Sequence, residues 1–479
     1  MPKRGKFYIT TAIDYVNAPV HLGHCLEKIL ADVIARYQRN LGKDVFFLTG
    51  TDENAQKNVL AAEKRGILPK EFVDQNANFA KLVWKKLDIS FDYFIRTTNK
   101  KIHWPGVKKL WLKCQKSGDI YKKKYTGLYC KECEAFLKEK DLKKGVCPIH
   151  LKKPQRISEE NYFFRLSKYQ KELEKIITQD KLKVIPKERK NEILSLIRSG
   201  LEDFSISRSK KRMRGWGIPV PGDKNQIIYV WFDALTNYIS ALGYGRDEKK
   251  FKKYWPADIQ LIGKDILRFH AIYWPAMLLS AKIELPKVIF VHGFITVEGK
   301  KMSKSLGNII NPLDLIEKHG SDPLRYFLLR EGSPFEDIDF TFEKFKRRYN
   351  FDLANELGNL AMRIVSLQKK LKIQIKKKIT FKDKRIEKRL LKTKREVKKK
   401  MEDFKFNEAL NAIWSLISFV NSYIDKTRPW EKGKEKIVKD LISILREIAQ
   451  ILNPFLPQTS QKILKQIKLQ KPEILFPKI

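Results

Sequence analysis

Along the first hundred or so residues, apolar runs of strand length alternate with stretches whose apolar residues return every third or fourth position. Positions 7–12, 45–49 and 93–96 are the strand-like runs. Leu22, Leu26, Ile29, Val33, Ile34 and Tyr37 form the best-marked helical stripe. This alternation predicts βαβ units and a parallel sheet, the first half of a nucleotide-binding fold. From about 118 to 221 the texture changes to short strands, turns and clustered Cys. The βα rhythm then resumes at 227–229, 259–262 and 288–291, so an insertion splitting one sheet is the simplest account. From Phe345 onward the pattern is helical. No Pro intervenes before Pro429, and Leu353, Leu357, Leu360 and Ile364, then Leu410, Ile413, Trp414 and Ile417, keep three and four spacing, which predicts an α-helical bundle. The Lys-rich run 369–400 reads as solvated helix faces and a linker, with direct RNA contact as the alternative.

Composition narrows the class without naming it. The 479 residues allow about three domains, and 43% hydrophobic residues suffice for full cores. A formal charge of +43 suits a polyanionic partner such as a nucleic acid, although Lys is abundant along the whole chain and a general compositional bias would give the same sum. Five cysteines without a signal-peptide context argue against a disulfide scaffold. The basic start lacks an apolar core. No stretch approaches the roughly 18 apolar residues of a membrane span. A soluble, cytoplasmic protein without membrane association is expected.

Two separated motifs suit triphosphate chemistry. His21-Leu22-Gly23-His24 follows a strand-like run and opens a helical stripe, where backbone N–H groups and the helix dipole attract anions and two imidazoles share a face. Lys301-Met302-Ser303-Lys304-Ser305 places two ammonium groups around a small hydroxylic turn, as a mobile loop would to meet a pyrophosphate leaving group. Either alone is compatible with an ordinary helix start or a chance string in a Lys-rich chain. Residues just after strands, Asp52, Gly263, Asp265 and Gly293, are where an open α/β sheet binds ligands. Cys130-x2-Cys133 and Cys147-x2-His150, thirteen residues apart, can close tetrahedrally around one structural zinc, with Gly145 and Pro148 turning the second pair. Cys25 and Cys114 sit on helical patterns as small apolar residues.

The two motifs resemble the HIGH and KMSKS signatures of class I aminoacyl-tRNA synthetases. The surrounding residues resemble methionyl-tRNA synthetase of the short bacterial type with one zinc knuckle: 10–17 (TTAIDYVN), Gly50-Thr51-Asp52-Glu53, 216–222 (WGIPVPG), 229–234 (YVWFDA) and 263–266 (GKDI). One departure stands out, Asp52-Glu53-Asn54-Ala55 where the family usually reads Asp-Glu-His-Gly. The resemblance implies an α/β protein with a Rossmann-type parallel-sheet catalytic domain split by a zinc-binding insertion, followed by an α-helical anticodon-binding bundle. The implied bounds are 1–117 and 222–344 for the catalytic halves (the latter with the KMSKS and stem-contact region), 118–221 for the insertion, and 345–479 for the bundle.

The implied activity is ATP-dependent activation of L-methionine and its transfer to the 3′ end of tRNA(Met), initiator and elongator, by a monomer using magnesium with ATP. Neither step needs a protein nucleophile, so positioning and charge stabilisation carry the catalysis. By resemblance, His21, Gly23 and His24 meet phosphate or ribose oxygens, Lys304 follows the pyrophosphate with Lys301 assisting, and Gly263 and Asp265 seat the adenosine. A helix cap is the alternative for Asp265. Family correspondence implies a methionine pocket of Ala12, Ile13, Tyr15, Trp231, Ala234, Tyr238, Ile266, Phe269 and His270, with Asp52 pairing the ammonium. Arg208 supports the transition state, or is a surface arginine. The resemblance also implies that Asn359, Arg363, Pro429 and Trp430 read the CAU anticodon, with Trp430 alternatively capping a helix start.

Other readings compete. Synthetases for valine, isoleucine and leucine need a larger editing insertion than this one. A cysteinyl enzyme holds its metal in the active site rather than in an insertion. A catalytically silent tRNA-binding protein would not need both intact motifs.

Overall fold

The computed structural model describes residues 5–130, 135–137, 139, 142–148, 151–302, 307–374 and 381–479. The strands in chain order are β1 (Lys6–Thr11), β2 (Asp14–Tyr15), β3 (Asp44–Asp52), β4 (Tyr93–Arg96), β5 (Ile120–Cys130), β6 (Ala135–Leu137), β7 (Gln155–Phe164), β8 (Lys183–Ile185), β9 (Phe204–Ser205), β10 (Ser207–Ser209), β11 (Pro219–Val220), β12 (Asp223–Ile228), β13 (Ile259–Gly263) and β14 (Val288–His292). Three shorter ones follow, β15 (Ile295–Val297), β16 (Lys300–Lys301) and β17 (Ile338–Phe340).

The chain divides into two compact units. The first comprises Met1–Val20, Gly42–Leu82 and Phe91–Val291. Its main sheet runs β2-β3-β1-β13-β14-β8, with β4 on β3. β1 pairs in parallel with both β3 and β13. Central parallel strands are covered on both faces, and Tyr8, Ile9, Thr10 and Thr11 are accordingly all buried. The open-sheet order reverses at β1, so the carboxyl ends of β1, β3 and β13 are where such a sheet binds ligands.

Two details differ from the sequence pattern. The run 227–229 does not rejoin the parallel sheet: β12 pairs antiparallel with β10 and β11 in a separate three-stranded sheet. A short apolar run looks the same in either sheet, because strand partners are set by contacts remote in sequence. Conversely, β8, inside the expected insertion, joins the parallel sheet beside β14. The insertion also carries two helices, Gln170–Thr178 and Lys187–Arg198, beside its antiparallel sheet β6-β5-β7-β9.

The second unit comprises His21–Leu41, Val83–Ser90 and His292–Ile479. Its long helices, Lys384–Glu402, Phe406–Thr427, Glu435–Leu452 and Pro457–Leu469, realise the predicted bundle. Ile386, Leu390, Thr393, Val397 and Met401 are buried along one side of Lys384–Glu402, so its lysines form the solvated face. The helix Leu22–Asn40 packs in this unit through a buried ionic knot. Asp32 and Arg325, both fully buried, lie 2.8 Å apart. Arg36 and Ser90 also donate to Asp32, while Arg325 donates to the carbonyls of Phe455, Pro454 and Leu87.

Candidate functional site

In the first unit, β3 delivers Asp52 to the carboxyl end of the sheet, in register with Tyr15 of β2. Asp52 is buried and its carbonyl accepts from the Asn58 amide at 3.2 Å. The next residue, Glu53, is buried too, but its carboxylate accepts from Arg96 at 2.6 and 3.0 Å and from Thr51 at 2.7 Å. Those partners satisfy it locally. Lys57, unremarked in the sequence, sets its ammonium 3.0 Å from the centroid of the Tyr15 ring.

The expected methionine residues come together here. Trp231 stacks on Phe269 with centroids 3.8 Å apart and planes within 3°. Tyr15 and His270 meet Trp231 edge-on at 6.3 and 6.2 Å. Tyr238, His270 and Ala234 are buried, and Ala12, Ile13 and Ile266 belong to the same apolar cluster as Trp231 and Tyr238. Phe269 and His270 lie on a π-helical segment, Phe269–Tyr273, a geometry favoured at functional sites because it displaces side chains from the regular helical stripe. Nδ1 of His270 is 3.0 Å from the Ile266 carbonyl, which can only accept, so Nδ1 carries the proton. Nε2 therefore accepts from the Tyr238 hydroxyl at 2.7 Å.

β13 ends at buried Gly263, which occupies the cap position of the single turn Lys264–Ile266. Asp265 is exposed within that turn and does not cap it, leaving its carboxylate for solvent or ligand. Arg208 is no surface arginine. Its guanidinium is buried, lies 4.3 Å from the Tyr229 ring and donates to Ser205 and Ser207.

In the second unit His21 is the cap of Leu22–Asn40. Its Nδ1 accepts from the Gly23 N–H and Nδ1 of His24 accepts from the His21 N–H, each at 3.1 Å. The Leu22 and His24 N–H groups bond to the carbonyls of Ile310 and His21. The helix start is thus not the row of bare N–H donors that the sequence suggested. It presents imidazoles whose Nδ1 atoms accept, which leaves the proton of each neutral ring on Nε2. The rings lie 4.1 Å apart. Burial, with the neighbouring His24 ring and the Lys301 ammonium, holds His21 down at about 3, so it is neutral at pH 7. A Cβ on Gly23 would fall 3.0 Å from both His21 and Met302, so glycine lets Met302 of the second motif pack here. Lys301 ends β16 and is exposed; Lys304, Ser303 and Ser305 lie outside the described residues. Gly293 proves to be a packing glycine, since a Cβ there would lie 2.0 Å from the Glu336 carbonyl.

At one end of the bundle, Asn359 and Arg363 lie one turn apart on the helix Asn359–Lys370. Asn359 is exposed, and Arg363 pairs with Asp425 near the end of Phe406–Thr427. Arg428 caps that helix in the left-handed region, followed by Pro429 and a half-exposed Trp430. Trp430 lies in the turn before the helix Glu435–Leu452, not at a helix start.

Of the four metal candidates, Cys130 ends β5 and is buried, as is Cys147. The chain folds around Cys147: its N–H bonds to the Lys152 carbonyl and its carbonyl accepts from Leu151, after a turn bridged by Lys143 and Val146. Cys133 and His150 lie outside the described residues, among which no three potential ligands cluster. Three thiolates and an imidazole remain a donor set suited to Zn²⁺.

Comparison with known proteins is consistent along the chain. A family model described as tRNA synthetases class I (M) matches residues 7–156 and 137–365, and one described as the anticodon-binding domain of tRNA ligase matches 383–478. A methionine–tRNA ligase of Caldanaerobacter subterraneus is 42% identical, covering 99% of this chain and 79% of its own length. One from Thermotoga maritima is 43% identical over 97% of this chain and 76% of its own. The structure of Mycobacterium tuberculosis methionyl-tRNA synthetase with methionyl-adenylate superposes with a TM-score of 0.91 at 37% identity, covering 99% of both chains.

Proposed function

The chain belongs to the class I methionine–tRNA ligases, and from that premise we propose which of its residues carry each step. It activates L-methionine with ATP and passes the methionyl group to tRNA. The observation that carries the assignment of residues is the aromatic cluster at the carboxyl end of the sheet. Methionine has little to hydrogen-bond beyond its ends, and Trp231, Phe269, Tyr15 and His270 supply the ring faces and edges that grip a thioether. Asp52 pairs the ammonium. His270, with both nitrogens engaged by Ile266 and Tyr238, reads the side chain by shape. Gly263 gives adenosine close backbone approach, and Asp265 accepts from ribose hydroxyls.

For the phosphates, His21 and His24 donate through Nε2–H, and a neutral His21 does so without charge–charge cost from its neighbours. Lys301 and Lys304 stabilise the charge that develops on the departing pyrophosphate. Arg208 contributes positive field from its place against Tyr229. Magnesium on the ATP phosphates supplies countercharge when bound. Cys130, Cys133, Cys147 and His150 hold one structural zinc. Asn359 and Arg363 read base edges and Trp430 stacks a base of the tRNA(Met) anticodon. A monomer acting in the cytoplasm completes the proposal; among the described residues no helix is long and apolar enough to cross a membrane. The assignment is tested by Lys304→Ala, for which methionine binding is expected to persist while adenylate formation falls by orders of magnitude.

A further inference from the structure

The departure noted in the sequence, Asn54 in place of the family His, lies in a buried network that joins the loop after β3 to Asp233 of the 229–234 segment and to His103 and Ser240 outside the quoted motifs. The Asn54 amide donates to Asp233 Oδ2 at 2.7 Å and to the Thr97 carbonyl at 3.1 Å. The other carboxylate oxygen, Oδ1, is 2.5 Å from Nε2 of His103, whose Nδ1 is 2.7 Å from the Ser240 hydroxyl. Asn54, Asp233, His103 and Ser240 are all at most 2% exposed. Each carboxylate oxygen of Asp233 thus has its own partner, one on the loop after β3 and one at the start of the helix Trp104–Lys116.

The placement of the two ends is what gives this network a role. Asn54 follows Asp52 by two residues, and Glu53 between them is fixed by Arg96, by Thr97 to its N–H and by Trp216 to its carbonyl. Asp233 lies on the short helix Val230–Leu235, between Trp231 and Ala234. Two residues on a helix are separated by about 200°, so Asp233 points away from the side that Trp231 presents to Phe269. The Asn54–Asp233 bond therefore connects the backbone carrying the ammonium partner to the helix carrying the aromatic wall. A short six-residue helix has little intrinsic stability, so such a tie largely sets where its side chains stand. In a buried setting the bond is charge-assisted, and its loss leaves a carboxylate oxygen without its donor.

We propose that Asn54 and Asp233 form a positioning clamp that sets the distance between Asp52 and Trp231, and so governs methionine affinity without touching substrate. This rests on the assignment of Asp52, Trp231 and Ala234 to the methionine pocket. The amide serves the clamp as a donor that does not titrate, with His103 holding the second oxygen.

The test is steady-state, methionine-dependent ATP–pyrophosphate exchange by the full chain and by Asn54→Leu, Asp233→Ala, which leaves no acceptor for the Asn54 amide, and the double variant. Each single change is expected to raise KM for methionine about tenfold, while kcat and KM for ATP shift less than twofold. Because the two residues act through one bond, the double variant should be no worse than the more damaged single one. Equal rises in both KM values, no rise at all, or multiplying effects in the double variant would overturn the clamp. Should Asn54→Leu not fold, as judged by circular dichroism, Asn54→Ser, too short to reach Asp233, enters the same cycle. Trp231→Ala run in parallel separates the two levels: if it leaves KM for methionine unchanged the pocket assignment itself fails, whereas if it raises KM and Asn54→Leu does not, only the clamp fails.

Discussion

The Tyr238 hydroxyl stands 2.7 Å from Nε2 of His270, and the ring's other nitrogen gives its proton to the Ile266 carbonyl. The histidine is therefore locked in one tautomer and one orientation against Trp231. Tyr238→Phe removes the donor and strands a buried acceptor, which costs about 1–3 kcal/mol locally. The expected outcome is a several-fold rise in KM for methionine with KM for ATP unmoved, measured by pyrophosphate exchange. Proportional rises in both would place Tyr238 in general packing.

Protonation of His21 sets a second expectation. Its folded pKa, about 3, lies below the ordinary value of 6.5 because burial, then the adjacent His24 and the Lys301 ammonium, penalise the imidazolium. Between those values the unfolded chain binds the proton and the folded chain does not, so this group's contribution to stability is complete above about 6.5 and is lost as pH falls. By pH 5 the loss reaches up to about 2 kcal/mol. His21→Asn, which keeps a capping acceptor, should show a smaller fall in Tm between pH 7.5 and 5 than the wild-type chain. Parallel Tm curves would remove His21 as the cause.

The buried Asp32–Arg325 pair yields a third. Arg325→Met leaves Asp32 with Arg36 and Ser90, and frees the carbonyls of Phe455, Pro454 and Leu87 from their donor. Removing one partner of such a pair costs about 3–5 kcal/mol. Urea unfolding should show the midpoint shifted down accordingly, and an unchanged midpoint would mean that the knot contributes nothing net.

Much of this architecture was legible in the sequence, for identifiable reasons. Leu22, Leu26, Ile29, Val33 and Ile34 are buried on one helix because period and length agreed there. Tyr15, Trp231, Phe269 and His270 were brought together by motif resemblance, since nothing local in the chain announces a stack between positions 231 and 269. The pairing of 227–229 was misread because a strand's partner is not written in the strand. Glu27, Lys28, Asp32 and Arg325 are buried charges that periodicity assigns to the surface; Lys28 beside Glu27 is a local pair, but His292 for Glu27 and Arg325 for Asp32 come from far along the chain. Asn54, His103 and Asp233 were hidden for the same reason.

Recognition of tRNA can be separated from activation. Trp430 is 51% exposed at the end of the bundle where Arg363 meets Asp425. Stacking of one base on an indole is worth about 1–3 kcal/mol. Trp430→Ala should lose that much in charging of tRNA with a CAU anticodon, and lose preference for CAU over altered anticodons. Retained preference would move base reading elsewhere.

Metal content is a direct observable for the knuckle. About one zinc per chain is expected by elemental analysis, falling together with thermal stability in Cys147→Ala. Active, carefully purified protein without zinc would remove the site.

The central claim, that this chain activates methionine with residues of both motifs, is tested most directly by amino-acid-dependent ATP–pyrophosphate exchange without tRNA. The wild-type chain should exchange pyrophosphate with L-methionine and far less with cysteine, leucine, isoleucine or valine, while Lys304→Ala folds normally and exchanges slower by orders of magnitude. Exchange driven equally by another amino acid, or undiminished exchange by Lys304→Ala, would contradict it.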